Sequence, residues 1–418
     1  MPNYKPSTWP LLLFAIVLLS ACQPANPPFE CTDAIGCVDI APGDPIKLGM
    51  LQALSGDMAY VGLAQARSME LAIARRDNQL LGHPIAIQLE DSRCLPEGGT
   101  TAALKTVADP QVVAILGTTC SGAAATAAEV MSKAGLVMIS GAATAPSLTA
   151  LDGERGADWQ PGFFRTRPNS AEQGRAAATF AFQELGVTRA AAIHDGDPYT
   201  RGLAEVFERA FTEWGGEIVL DAIVNKGDVD MRPVLTAVAH SGAKLVFLPL
   251  LQPEGGWVVR QTKEVAGLES VLLMGSGALR GDSFIEFVGV DGKGMYFVGL
   301  IPPENSSNES FAFEYESIYG EPPLSRSYEY AHDAVVLLFG AVEATAVQDA
   351  DGTLHIGRQA LRDALHAVSD LEGLSGALAC DEFGDCSVGT FNVVRLDDPS
   401  SGLEGLESNV VYTYTSGQ

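Results

Sequence analysis

The sequence predicts an α/β protein of two lobes, each a mostly parallel sheet flanked by helices. Three observations lead there. Apolar strand-like runs alternate with amphipathic helical stretches from Ile46 onward, the pattern that packs helices on both faces of a parallel sheet. The alternation restarts near Arg165-Thr166-Arg167-Pro168 and builds a second unit of similar size. The chain of 418 residues is also long enough for two ordinary domains.

Lys5 and the apolar run Leu11–Leu19 precede Leu19-Ser20-Ala21-Cys22. The run is too short to span a bilayer and has the length of a signal-peptide core. Small residues directly before a cysteine resemble the lipobox of bacterial lipoproteins, so residues 1–22 are expected to be a signal peptide and Cys22 the lipidated first residue of an exported chain. The alternative is a plain secretory signal with an incidental cysteine. Residues 23–45 are rich in Pro and Asp and are expected to form a tether.

The first lobe begins with the strand Ile46–Leu54, ending at Ser55-Gly56. Gly62–Asn78 places Leu63, Ala66, Met69 and Ile73 on one helical face. Ile85–Leu89 is a strand, Gly98–Ala108 a helix and Val112–Leu116 a buried strand. Gly117-Thr118-Thr119 ends that strand in a sharp turn, and Ser121 opens a helix of small residues. After the strand Val137–Ser140 the device repeats, with a glycine and then Ala142-Ala143-Thr144. Ligands of such sheets sit outside the carboxyl ends of the strands, where Ser55, Ser121 and Thr144 all fall. A serine at a helix start beside orphan N–H donors can seat a carboxylate, although the same residues also serve as ordinary helix caps.

In the second unit Ala171–Gly186, Tyr199–Trp214 and stretches near 231–240 and 254–266 are expected to be helices. Ala190–His194, Ile218–Ile223, Leu245–Leu250, Val271–Met274 and Met295–Ile301 are expected strands. Helices then follow at about 308–319, 326–347 and 357–368, and two β-rich runs close the chain, Gly389–Leu396 and Val410–Thr415. Helices without strands and strands without helices close a sheet poorly alone. The expected lobes are therefore 46–166 plus 302–372 and 167–301 plus 373–418, joined by three crossovers near 166, 302 and 373.

Six cysteines follow Cys22, an even number in an exported chain. Cys31 with Cys37 and Cys380 with Cys386 are close enough to pair locally, which leaves Cys94 for Cys120. No second cysteine or histidine stands at a metal-ligand spacing, so no metal or cofactor is expected. A net charge of -26 argues against nucleic acid or an anionic membrane surface as a partner and says nothing of the substrate's charge.

Several pieces, in order, resemble one family: Ile46-Lys47-Leu48-Gly49 leading to Leu54-Ser55-Gly56, the Cys94/Cys120 pair, Cys120-Ser121, and Ala142-Ala143-Thr144-Ala145-Pro146 through Leu148-Thr149. His194-Asp195 with Tyr199 and Gly202, Gly373-Leu374-Ser375-Gly376, and Asp381-Glu382-Phe383-Gly384-Asp385 add to it. Over residues 46–396 the chain is similar to the periplasmic leucine/isoleucine/valine-binding proteins, substrate-binding components of ABC transporters with the two-lobed type I fold. The resemblance implies a monomer that closes on a small zwitterionic ligand, a branched-chain or other neutral amino acid, and docks on ABC permease and ATPase subunits. It implies that Ser121 and Thr144 donate to the ligand carboxylate and that the Ala142 carbonyl accepts from its ammonium. Thr119 and Ala143 would line the side-chain end, and Tyr199 would close over the ligand from the second lobe.

The chain also departs from that pattern. The family's ammonium-binding acid aligns with Gly277, a tyrosine expected near Leu251 is missing, and Val61 stands where another aromatic is common, with Tyr60 one residue away. A buried ammonium without an anionic partner costs several kcal/mol. Asp195, Asp197 or Asp282 would have to supply the charge from a shifted position, or the ligand is not a simple α-amino acid. An enzyme is a poorer reading. Gly275-Ser276-Gly277 lacks the nucleophile-elbow spacing, and His194 and Asp195, adjacent on a strand, point to opposite faces. The remaining alternative is a lipoprotein of this fold that senses ligands or regulates cell-envelope enzymes without transport.

Overall fold

The computed structural model describes residues 1–3, 29–301 and 306–415. Cys22, the rest of the signal segment and the crossover expected near 302 lie outside the described residues. Met1–Glu30 and Cys31–Gln418 are separate compact units, and the second carries all the architecture below. Among the described residues no helix is long and apolar enough to cross a membrane.

The first lobe is built on a six-stranded sheet, five of whose strands run parallel. Ile46–Gln52 lies between His83–Asp91 and Val112–Gly117, followed outward by Val137–Ser140 and Phe163–Arg165. The helices Pro96–Val107 and Ser121–Lys133 pack together on one side of this sheet, and Ala59–Ala74 packs against Ser327–Thr345 on the other. Both faces are therefore covered, and Val112–Gly117 is buried at every position, as a parallel strand between helix layers must be.

The second lobe holds a seven-stranded sheet. Arg189–His194 sits between Glu217–Ile223 and Leu245–Leu248, and Leu272–Ser276 and Tyr296–Leu300 continue it in parallel. The tail strands Phe391–Arg395 and Val410–Tyr414 complete this sheet by antiparallel pairing. Its helices are Ala171–Thr179, Pro198–Glu213, Arg232–Ser241, Glu254–Thr262, Asp282–Val288 and Gly402–Ser408. The expected single helix over 171–186 is α-helical only to Thr179 and widens into a π turn over Phe180–Glu184.

Residues 31–45 are not a free tether. Cys37–Ile40 pairs antiparallel with Leu354–Gly357, burying Val38 and Ile40 on one face. Asp33 accepts the Gln359 and Ala360 N–H groups, satisfying donors that the helix Arg358–His366 leaves free at its first turn. The helix expected over 62–78 runs over Ala59–Ala74, and its inward face differs. Leu63 is 41 % exposed, while Val61, Ala66, Met69 and Ile73 are buried. Gly373-Leu374-Ser375-Gly376 turns a hairpin around fully buried Asp333, whose carboxylate accepts from the Leu374 and Ser375 N–H groups at 2.8 Å each.

All three expected disulfides are present, Cys31–Cys37, Cys94–Cys120 and Cys380–Cys386.

On the outer side of the second lobe, Glu208 lies beside Glu205 and Asp221. Burial, reinforced by those two charges, pushes its carboxyl up to about 7. A group whose folded pKa is raised takes up a proton on folding, so its contribution is full at low pH and lost as pH rises through about 7. The thermal midpoint is expected to fall between about pH 4.5 and 7, and Glu208→Gln should flatten that decline. Parallel pH profiles in wild type and variant would refute the assignment.

Candidate functional site

The strands Val112–Gly117 and Val137–Ser140 lie side by side, with Leu116 opposite Ile139, so the turns that follow them share one edge of the sheet. Hydrogen bonds tie the turns together. The Ser140 hydroxyl donates to the Thr118 carbonyl at 2.8 Å and accepts from the Ala143 N–H at 2.9 Å. Ser121 Oγ accepts the Ala145 N–H at 3.2 Å. Cys120, bridged to Cys94, is the residue before the helix Ser121–Lys133, so the disulfide anchors the point where the helix starts.

Ser121, Thr119, Ala142, Ala143 and Thr144 are thus brought together, but their polar groups are not equally free. Thr119 Oγ1 accepts from the Ala53 N–H and donates to Gln52 Oε1, so its hydroxyl is spent on the neighbouring strand. Ser121 keeps its hydroxyl proton, and the first turn of its helix leaves N–H groups without intrahelical partners. The Thr144 hydroxyl and the Ala142 carbonyl have no hydrogen-bond partner among the described residues, and both residues are half-buried. The Thr144 carbonyl instead accepts from Ser170 N–H at 3.0 Å and from its hydroxyl at 2.9 Å.

The turn is held from behind by Arg165, fully buried at the end of its strand. Its guanidinium donates to the Ala145 carbonyl at 2.7 Å, to Asp385 Oδ1 at 2.5 Å and to the Thr149 hydroxyl. Asp385 also accepts from Thr149 and Asn169 at 3.1 Å each. This network joins the Ala142–Thr149 turn, the crossover after Phe163–Arg165 and the Cys380–Cys386 loop. Sequence reasoning used Arg165 and Arg167 only as a lobe boundary; the signal was a charged residue directly after two phenylalanines.

From the second lobe, Tyr199 donates its hydroxyl to Ser276 Oγ at 3.1 Å. Burial pushes its phenol up, and it stays neutral. The helix Pro198–Glu213 is capped by Asp197, whose Oδ1 accepts the Tyr199 N–H at 3.0 Å and whose Oδ2 lies 3.3 Å from Lys226 Nζ. The lobes meet here. A methyl group added to Gly122 would stand 2.5 Å from Asp197 Oδ2, and one added to Gly202 would stand 3.1 Å from Pro146. Leu251 follows the strand Leu245–Leu248 in the second lobe, half-buried, its carbonyl accepting the Gly255 N–H at 2.9 Å.

The carboxylates that could balance an ammonium are engaged elsewhere. Asp195 accepts from the Thr200 hydroxyl and the Asp197 N–H, closing its own turn. Asp197 is only 9 % exposed and paired with Lys226. Asp282 accepts the Leu403 N–H at 2.8 Å. At Gly277 a side chain would meet the Gly299 Cα at 3.2 Å and Gln173 Nε2 at 3.6 Å, so an acid there would have to push a neighbouring backbone aside. Among the described residues no group of His, Cys, Asp and Glu is placed to hold a metal.

Comparison with known proteins agrees with this geometry. A family model described as periplasmic binding protein matches residues 45–397. A protein of Brucella melitensis named Leu/Ile/Val-binding protein homolog 3 is 26% identical over 375 residues, covering 89% of this chain and 96% of that one. The crystal structure of a leucine-binding protein of Thermotoga maritima superposes with a TM-score of 0.72 at 22% identity, over 85% of this chain and 96% of that one. A solute-binding protein of an ABC transporter from R. palustris, solved with benzoate, gives 0.67 at 23% identity, over 84% and 93%. With the family model spanning the six-stranded sheet and all of the seven-stranded one except its last strand, the chain belongs to the periplasmic binding protein family and has its two-lobed type I fold.

Proposed function

We propose that this chain is the lipid-anchored, extracytoplasmic solute-binding component of an ABC importer, and that it takes a small ligand by its carboxylate between the lobes. One observation carries the reading. The Thr144 hydroxyl and the Ala142 carbonyl are half-buried and have no partner among the described residues, beside the start of the helix Ser121–Lys133, in a turn whose Ala142, Ala143 and Ala145 N–H groups are already hydrogen-bonded. Donors at the positive end of a helix suit a carboxylate. The names of the relatives make branched-chain and other neutral amino acids the first ligands to test, and the benzoate complex adds carboxylates without an amine.

Closure would bring Tyr199 over the ligand, remove water and present the closed surface to a permease, so that binding acts by shifting a population. Cys22 would carry the lipid. Ser121→Ala and Thr144→Ala are each expected to weaken binding by about 1–3 kcal/mol, because buried polar ligand atoms lose their partners. Calorimetry on the detergent-solubilised full chain checks this, and unchanged affinity in both variants removes the seat. A wide panel of amino acids, amides and small carboxylates that binds nowhere would instead favour a regulator of the cell envelope.

A further inference from the structure

Among the described residues the cleft contains a cation that has no carboxylate partner. Arg167 leaves the first lobe at the crossover to the helix Ala171–Thr179. Its Nη1 donates to Ser327 Oγ at 2.5 Å, and its guanidinium carbon lies 5.5 Å from the centre of the Tyr330 ring. Both contacts come from the start of the helix Ser327–Thr345, and they hold the plane of the guanidinium while leaving other N–H donors free. No carboxylate lies within 4.0 Å of it among the described residues, although nearly every other arginine at the crossovers and on the first lobe's helices has one or a carbonyl. The side chain is half-buried, as a group lining a cleft would be.

Its surroundings place it between the lobes. Its charge is felt by the hydroxyl of Tyr60 on the first lobe, of Tyr199 on the second and of Tyr330 below. The acid that also feels it, Glu329, is 1 % exposed, out of a ligand's reach, and burial pushes its carboxyl toward the neutral form. The three aspartates considered for an ammonium are bonded elsewhere. The charge offered to a ligand in this cleft is therefore positive. An ammonium would be repelled there, and closure would desolvate an unpaired guanidinium, which is costly unless an anion arrives with the ligand.

We propose that Arg167 is the specificity-determining residue of this cleft, and that the ligand is a small organic acid with a second anionic group, a dicarboxylate or its equivalent, in place of an ammonium. One carboxylate would sit on the Ser121–Thr144 turn, and the other would meet the guanidinium fork, with the tyrosine hydroxyls as neutral flanking donors. Such paired N–H···O bonds are the strong, directional kind. The inference rests on the solute-binding reading above.

The test uses calorimetry on the detergent-solubilised full chain with straight carbon frames of four to six atoms. Each frame is offered as the diacid, the monoacid and the α-amino acid; glutarate, pentanoate and norvaline form one such set. The diacid is expected to bind at least about tenfold tighter than the amino acid on the best frame. Arg167→Gln should lose that preference while monoacid affinity changes less than about twofold, and Arg167→Lys, which keeps the charge without the fork, should fall between. An amino acid tighter than its diacid, or diacid affinity unchanged in Arg167→Gln, overturns the proposal. If every set fails while a neutral or cationic solute from a wider panel binds, the proposal falls and the solute-binding reading stands. If no solute of any class binds, the reading beneath it falls as well.

Discussion

Replacing Arg165 with leucine is expected to lower the unfolding free energy by about 3–5 kcal/mol, the range for removing one partner of a buried ion pair. The reason is what the guanidinium leaves behind. Asp385, nearly enclosed, would keep its charge with only Thr149 and Asn169 to answer it, and the Ala145 carbonyl would face an apolar side chain. Denaturant titration measures the loss, and a drop under about 1 kcal/mol would refute the hub role. Adding Asp385→Asn to the variant should recover part of it, because the stranded charge is then gone. Ligand affinity should fall too, since the same group orients the Ala142–Thr149 turn.

Removing the Cys94–Cys120 bridge, by changing both residues to alanine, is expected to cost about 3.5 kcal/mol in the chain-entropy account. The bridge closes a segment of sequence separation 26 that contains the helix Pro96–Val107 and the strand Val112–Gly117. Both sulfurs are buried against Ala53, the residue that also donates its N–H to Thr119. The loss should therefore appear twice, as a lower midpoint in denaturant and as weaker ligand binding. A variant as stable as the wild type would mean that the helices alone hold these strand ends in register.

Much of this was legible from the residues. The two turns after Val112–Gly117 and Val137–Ser140 were, because small residues, glycines and hydroxyls at strand ends have few other uses. The remainder failed for separate physical reasons. Phe163–Arg165 is buried on both faces, so its arginine sits inside the protein where alternation would have placed it by parity alone. Cys37–Ile40 buries just two side chains, too few to register as a pattern in a Pro-rich stretch. Leu63 shows that helical periodicity locates an apolar face only to within a residue or two, since Val61 is buried while Leu63 faces out. That Thr119 turns its hydroxyl to Gln52, and so away from any ligand, depends on a residue 67 positions earlier, which no local window contains.

The placement of the disulfides has a mechanical consequence. Cys31–Cys37 staples the edge of the first lobe, Cys94–Cys120 joins two loops of the same sheet, and Cys380–Cys386 tightens one crossover. None of them links the six-stranded sheet to the seven-stranded one. Oxidation thus removes soft modes from the first lobe and from one crossover loop, and no covalent link ties one sheet to the other. In an oxidising compartment the half of the protein that holds the Ser121–Thr144 turn gains stiffness, while the relative movement of the two sheets stays free of covalent restraint.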